Sequence, residues 1–424
     1  MKNILKAITV FILAFFARTV LHRYRPHIVM VTGSVGKTST KDAVAAALST
    51  RFYVRKSEKS FNSEFGVPFT ILGVGNPWND PFAWLSILRS ALALILLPNH
   101  YPNMLVLEVG ADKPGDLARI LRFATPDAVV VTRLPEIPVH VEAYSSPDAV
   151  REEEFSPAHA LAAGAPLIVP ADDEYALDSA MRTPARVISY GYAENVNVRM
   201  RDTNFYEIGG NVKGMQTTIT VHGEHGQCAV SGSVGATQVF PIAAAIATAS
   251  AFEIPLQETL LALMNYEAPS GRGKLLAGRN GSIIIDDSYN ASPAAVEEAL
   301  STLKIFPHAK RRIAVLGDML ELGRYSVMEH ERIAVLAGTS ADVIVTVGIR
   351  ARAFGVASNG AEIMQFDNSR SAASALVDLI SEGDVVLVKG SQSVRTERIV
   401  EALLANKEDA VKLVRQEKKW RERA

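Results

Sequence analysis

The chain has very little cysteine: Cys228 stands alone among 424 residues, so no disulfide can close within the molecule, and that fits a reducing compartment. Neither charge sign is in excess. The 44 Lys and Arg stand against 45 Asp and Glu, a formal net charge of −1, which excludes a global bias toward nucleic acid. Short-period repeats and low-complexity linkers are missing as well. What remains is an ordinary globular composition, 48% apolar and 21% charged, in a chain long enough for two domains.

Long apolar runs are scarce. The first, from Ala7 to Ala17, is bordered by Lys6 and Arg18 and is too short for a membrane span. It has the basic start and apolar middle of a signal peptide, but no small-residue cleavage site follows. A helix packed on the body, or a peripheral contact with the inner membrane face through residues 4–21, is expected instead. A true anchor stays open, because the flanking cations could snorkel. A second stretch, "FAWLSILRSALALILL" at 82–97, is split by Arg89, and two helices covering each other is the expectation.

From Ile28 onward strands alternate with helices. "HIVMVT", "NMLVLEVG", "DAVVVTR" and "APLIVPADD" read as buried strands, and residues 197–231 as antiparallel strands added to the same unit. A new alternation begins near Pro269 with "GSIIIDDSYN", "RRIAVLGDM", "DVIVTVG" and "DVVLVKG". The fold class is therefore α/β: a P-loop central domain with a mostly parallel sheet, then a Rossmann-like C-terminal domain, with ligands outside the strands' carboxyl ends. The expected division is an apolar helix at 1–25, a central domain at 26–268 and a C-terminal domain at 269–424. The basic tail "KLVRQEKKWRERA" reads as a solvated helix end.

"VTGSVGKTST" (31–40) lies between a strand and a helix, where backbone N–H groups and the helix N-terminus make an anion cradle. Gly33, Ser34, Val35, Gly36, Lys37, Thr38 and Ser39 form the loop. Lys37 would reach the β- and γ-phosphates of ATP, and the Thr38 hydroxyl would bind Mg²⁺. Val31 stands where the strict pattern has glycine, so this is a G-x-x-G-K-T variant. Export would part this loop from cytoplasmic ATP, so the chain is expected to be cytoplasmic.

Further motifs come in order along the chain: "FNSEFGVPFTIL" (61–72), "LEVGADKPGDL" (107–117), "PVHVE" (138–142), "SGRGK" (270–274), "DDSYNASPAAVEEAL" (286–300), "AVLGDMLELG" (314–323) with a later "HE", and "VLVKGSQSVRTERIVEAL" (386–403). Together they resemble the Mur ligase family over roughly residues 28–420, and within it the branch that adds D-alanyl-D-alanine to a UDP-muramoyl-tripeptide. The resemblance implies an ATP-dependent amide ligase of cell-wall precursor synthesis, working through an acyl phosphate, with ATP and two Mg²⁺ ions. It implies Glu108 as an acid on the first metal and His140 as a ligand of the second. It implies Arg272 near the γ-phosphate, Asp287 as a nucleotide-contacting acid, and Lys389 and Ser391 as part of the amine site, with Asn290 shaping the domain junction.

Three departures qualify that picture. Only 27 residues precede the first strand, where relatives carry a UDP-sugar domain, so the acceptor could differ, as in the two-domain folylpolyglutamate synthetases. "GATQ" (235–238) has Thr237 and Gln238 where relatives often have His-Asn; the Gln238 amide offers adenine the same donors and acceptor. In the stretch "VREEEF" (150–155), Glu154 falls where the family has a carbamylated lysine. Its carboxylate is a ready hard-oxygen ligand for the second metal, but its head group sits ~5 Å nearer the backbone. "SSPDAV" and "SPAHAL" both look like helix starts, so a break near Ser156 is expected to let the last turn move. Glu152 and Glu153 read as solvated. A non-catalytic nucleotide-binding scaffold is the alternative from another class.

Overall fold

Runs of Val, Ile and Leu, each closed by glycine or a polar turn, become the buried strands of two sheets in the computed structural model, which describes residues 2–58, 60–78, 80–355, 360–417 and 420. The first sheet contains β1 (His27–Thr32), β2 (Val54–Lys56), β3 (Met104–Glu108), β4 (Ala128–Val131), β5 (Pro166–Pro170) and β6 (Arg186–Gly191). It continues with β7 (Val198–Ile208), β8 (Asn211–Val221) and β9 (Glu224–Ser231). Among the described residues its order is β2-β3-β1-β4-β5-β6-β7-β8-β9. Pairing is parallel as far as β7 and antiparallel from β7 to β9, so the meander at 197–231 extends the same sheet.

The second sheet contains β10 (Lys274–Ala277), β11 (Ile283–Asp287), β12 (Arg311–Gly317), β13 (Val343–Val347), β14 (Glu362–Phe366) and β15 (Asp384–Lys389), in the order β10-β11-β15-β12-β13-β14. Only β10 runs antiparallel to its neighbour among these described strands. Parallel strands covered by helices make an α/β fold, as expected from the alternation.

Six helices of the first half of the chain frame the phosphate loop and its flank: α1 (Lys2–Tyr24), α2 (Lys37–Leu48), α3 (Gly66–Leu72), α4 (Pro81–Leu96), α5 (Asp116–Leu121) and α6 (Pro147–His159). Alanines on α2 face alanines of the buried helix Phe240–Ala251, so the two backbones approach closely beneath the phosphate loop.

Three expectations need correction. First, α6 does not break at Ser156. Ser146 caps it and Pro147 opens it as expected, but the helix runs through Pro157 to His159. An internal proline costs about 3 kcal/mol; packing of Phe155 and Ala158 into the sheet core, together with the burial of Val150, at roughly 1.5–3 kcal/mol for each large apolar side chain, offsets it. Second, the tail is not a solvated helix end. Leu413 and Arg415 are buried, while residues 418–419 and 421–424 lie outside the described set. Arg415 donates to Glu397 at 3.0 Å and to the Tyr289 carbonyl at 2.5 Å, which seats the tail on the second sheet.

Third, α1 and α4 cover each other on one side only. Leu13, Ala17, Val20 and Leu21 of α1 share a core with Ile87, Ala91 and Leu94 of α4, and Tyr24 Oη donates to the Leu94 carbonyl at 2.8 Å. The opposite faces stay exposed: Leu5, Ile8, Phe11, Ile12 and Phe15 on α1, and Phe82, Leu85, Leu88, Leu92 and Leu96 on α4. Helix α1 is long and apolar enough to cross a membrane by length and composition, and its first side chains lie outside the described set.

Candidate active site

The carboxyl ends of β1, β3, β11 and β15 open on one cleft of about 680 Å³, lined from both sheets. The phosphate loop forms one wall. Gly33 (φ 117°) and Gly36 (φ 90°) take left-handed conformations. At Gly33 a Cβ would lie 2.4 Å from Thr132 Oγ1, so no other residue fits there. Ser34 and Val35 donate their N–H groups to the Arg133 carbonyl at 3.0 and 3.3 Å. Arg133 thus holds the loop through its backbone carbonyl, while its guanidinium pairs with Glu298.

Three expected residues meet at one hydroxyl. Thr38 Oγ1 lies 3.1 Å from Glu108 Oε1 and 3.2 Å from Arg272 Nη2, and 3.2 Å from Ser60 Oγ. Arg272 is held flat over the Tyr289 ring at 4.4 Å, and Tyr289 Oη contacts Ser60 Oγ at 2.8 Å. The flanking glycines make this approach feasible. Gly273 (φ 65°) has the Val234 carbonyl 2.4 Å from where a Cβ would stand.

Glu108 is fully buried, and burial raises its pKa against the pull of Lys41, Lys37, Arg272 and the Thr38 hydroxyl. Its Oε2 accepts no hydrogen bond among the described residues, though Lys41 Nζ stands 3.9 Å away. A buried, orphaned carboxylate oxygen beside a threonine hydroxyl is a donor set that suits one hard cation. The pair Thr38 and Glu108 therefore fits the first expected Mg²⁺.

The second metal set does not gather. Among the described residues no three His, Cys, Asp or Glu side chains stand together as a metal cage. His140 (φ 65°) faces the cleft, but its Nδ1 is 2.9 Å from Glu321 Oε2 and its Nε2 is 3.6 Å from Asp112. Burial pulls its pKa down, and the bond to Glu321 with the charge of Asp112 outweighs that and raises it. Glu154 lies beneath the loop rather than in the cleft lining. Its carboxylate accepts from Ser34 Oγ and stands 3.7 Å from Lys37 Nζ. Burial raises its pKa, opposed chiefly by Lys37 and then by Ser34. Lys37 itself donates to the Gly33 carbonyl and to that of Ser34 at 3.4 Å.

The second sheet supplies the opposite wall. Lys389 is buried, pairs with Asp287 at 2.6 Å and donates to the Asn290 carbonyl at 3.1 Å. Ser391 Oγ accepts from the Leu320 N–H at 2.9 Å. Gln238 is buried at the cleft edge, and its Oε1 accepts no hydrogen bond among the described residues, an acceptor suited to an exocyclic amine. Thr237 and Ser39 line the same cleft.

Sequence reading singled out neither Ser60, Lys41, Asp112 nor Glu321. Asp112 and Glu321 stand inside motifs already picked out, "LEVGADKPGDL" and "AVLGDMLELG"; only their convergence on His140 is new. Glu153 is not solvated. It accepts from the N–H groups of Gly115 and Leu117 at 3.0 Å each and so caps α5. Glu152 is exposed, contacting His159 and Tyr175.

This fold and cleft define a P-loop protein in which a triphosphate cradle on one parallel sheet faces a second parallel sheet. Residues 31–249 match the model of the Mur ligase middle domain, and residues 271–392 that of the Mur ligase glutamate ligase domain. The chain belongs to the Mur ligase family. It is 28% identical to the UDP-N-acetylmuramoyl-tripeptide–D-alanyl-D-alanine ligase of Bacillus subtilis over 92% of this chain and 78% of that protein. It is 30% identical to the same-named ligase of Mycobacterium leprae over 89% and 74%. Its fold matches that of the MurF ligase of Thermotoga maritima, solved in complex with ADP, with a TM-score of 0.76 at 24% identity, covering 95% of this chain and 84% of the other.

Proposed function

We propose that the chain is an ATP-dependent amide ligase that joins the amine of D-alanyl-D-alanine to the peptide carboxylate of a UDP-N-acetylmuramoyl-tripeptide. One observation carries the reading: the Thr38 hydroxyl of the phosphate loop is within 3.2 Å of Glu108 on one sheet and of Arg272 at the entry to the other. A phosphoryl group bound there would be met by charge from both halves of the molecule, and phosphoryl transfer is mostly positioning and charge neutralisation.

In the proposed reaction an acceptor carboxylate oxygen attacks the γ-phosphorus and ADP departs. The amine nitrogen then attacks the acyl carbon, loses a proton, and inorganic phosphate leaves. Lys37 and Arg272 would offset the γ-phosphate charge, and Gln238 would accept from adenine. Asp287 would contact the nucleotide, and Asn290, Lys389 and Ser391 would hold the amine-side substrate. Mg²⁺ held by Thr38 and Glu108 would supply further positive charge on the phosphates. The expected second ion, on His140 and Glu154, lacks comparable support because Glu154 is buried outside the cleft lining that includes His140. We assign Glu154 instead to holding Ser34 and Lys37 in place from below the loop. We put the division between the two halves at about residue 268; the change from the first sheet, which ends at Ser231, to the second, which begins at Lys274, supports it.

The use of ATP puts the chain on the cytoplasmic side, and the outer faces of α1 and α4 suit a peripheral contact with the inner membrane face. ADP release with UDP-muramoyl-tripeptide and D-alanyl-D-alanine tests the reaction. Release should require both substrates and disappear in Lys37→Ala. Release that ignores either substrate, or that survives Lys37→Ala, would overturn it.

A further inference from the structure

More than half of the large exposed apolar side chains among the described residues lie on or beside α1 and α4. On α1 the exposed set Leu5, Ile8, Ile12 and Phe15 recurs every three or four residues, opposite the buried set Leu13, Ala17, Val20 and Leu21. A helix apolar on both faces calls for a second apolar cover. Beside it lies a groove of about 690 Å³, open between α1 and the segment containing α5. Val10, Ala14 and the buried Phe123 make its apolar wall; Phe15 belongs to both the groove and the exposed stripe, and the exposed Phe11 lines the groove beside it.

The rim of this groove is basic. Lys6, Arg18, Arg119 and Arg122 stand around it with one carboxylate, Glu64, in the lining and a second, Asp116, paired with Arg119 behind it. Lys6 and Arg119 are already paired with Glu64, at 3.0 and 2.9 Å. Arg18 and Arg122 are exposed and form no ion pair among the described residues. Cations beside an apolar face snorkel to lipid headgroups at any bilayer surface, and here two of them, Arg18 and Arg122, stand at the mouth of a recessed apolar trough. A trough that accepts one hydrocarbon chain, with cations at its mouth, suits an amphiphile with an anionic phosphate head.

We propose that the groove between α1 and α5 binds the head and first carbons of a single-chain phosphate lipid, a prenyl or acyl phosphate, drawn from the membrane on which α1 and α4 rest. The inference rests on the membrane contact proposed above. It also bears on the ligase site. Segment 60–64 lines the cleft with Ser60 and Asn62 and the groove with Glu64. Segment 112–122 lines the cleft with Asp112 and the groove with Arg119 and Arg122. A lipid head in the groove would therefore sit on the same two segments that border the phosphate loop.

The test uses the full chain and two arms. In solution, calorimetry with farnesyl phosphate should give saturable binding about tenfold tighter or more than with farnesol or inorganic phosphate, each of which lacks one half of the recognised chemistry; tenfold is about 1.4 kcal/mol. Arg18→Glu with Arg122→Glu should abolish that advantage, and Arg122→Ala alone should reduce it, with melting temperature as the fold control. On vesicles, flotation should favour phosphatidylcholine doped with a polyprenyl phosphate over phosphatidylserine doping at equal surface charge. The double variant should keep its flotation on neutral vesicles and lose that preference. Equal binding of farnesyl phosphate and farnesol, or a double variant that binds like the wild type, would overturn the groove. Flotation on neither vesicle alongside farnesyl phosphate binding in solution would overturn the membrane contact and with it the membrane as the source of the lipid.

Discussion

At the level of single residues, one carboxylate run carries three different tasks. Glu152 faces solvent, Glu153 caps α5, and Glu154 is buried under the phosphate loop against Ser34 and Lys37. Removing one member of a buried ion pair typically costs ~3 kcal/mol or more. Glu154→Ala should lose stability of that order, and it should lower ADP release by about a hundredfold because Lys37 and Ser34 lose the partner that positions them under the phosphates. Glu152→Ala should stay near wild type, and added bicarbonate should not change wild-type turnover. Steady-state kinetics on the two variants checks this. Asp286 gives a prediction of opposite kind. Burial pushes its carboxyl up to about 6, against hydrogen bonds from Ser288 that pull it down. An unfolded aspartate titrates near 3.9. A carboxylate whose folded pKa is raised binds more protons folded than unfolded in that window, so stability falls as pH rises from about 4 through 6. Asp286→Asn should melt higher than wild type at pH 7.5, by about 1–3 kcal/mol, and the gap should close below pH 4. Thermal melts across pH measure it.

At the level of elements, the strands were legible because a buried parallel strand is a short β-branched run with a fixed kind of ending. The phosphate loop was legible for a similar reason: its glycines, Lys37 and Thr38 are neighbours in sequence. What was not legible depends on partners far along the chain. Arg415 finds Glu397 and the carbonyl of Tyr289, and no local pattern marks a basic tail for burial. Pro157 signals a helix end locally, and tertiary packing of Phe155 and Ala158 overrides it. The motif marks His140 as a candidate metal ligand, but no local pattern shows that Glu321, from the other sheet's side, holds its ring. The tail yields a prediction here. Arg415→Ala leaves Glu397 buried with Arg395 as its remaining close cation, at 2.5 Å. That variant should lose ~3 kcal/mol of stability, which urea melts would detect. Lys407→Ala, in the exposed turn just before the tail, should stay within about 0.5 kcal/mol of wild type.

For the whole molecule, the cleft depends on both sheets being in contact. Arg272 to Thr38, Tyr289 to Ser60, His140 to Glu321 and Arg133 to Glu298 all cross between residues before and after 268. A nucleotide in this cleft would touch both sides and should stabilise them together. A ligand that binds only the folded state stabilises it by RT ln(1 + [L]/Kd), about 2.7 kcal/mol at a hundred times Kd. ADP with Mg²⁺ at that excess should shift the unfolding of the wild type as one transition. Lys37→Ala should lose the shift, because the loop cation is gone. Arg272→Ala tests the bridge. Its side chain is part-buried, and its loss should change the ligand-free melt little while lowering turnover by about a hundredfold or more, the usual effect of deleting one donor to developing phosphate charge. With a non-hydrolysable ATP analogue and Mg²⁺ in place of ADP, which lacks the γ-phosphate that Arg272 would meet, its melt should separate into two steps, the first sheet raised and the second left behind. A single raised transition in Arg272→Ala would mean that the nucleotide reaches the second sheet through Asp287 and Lys389 instead, and scanning calorimetry distinguishes the two.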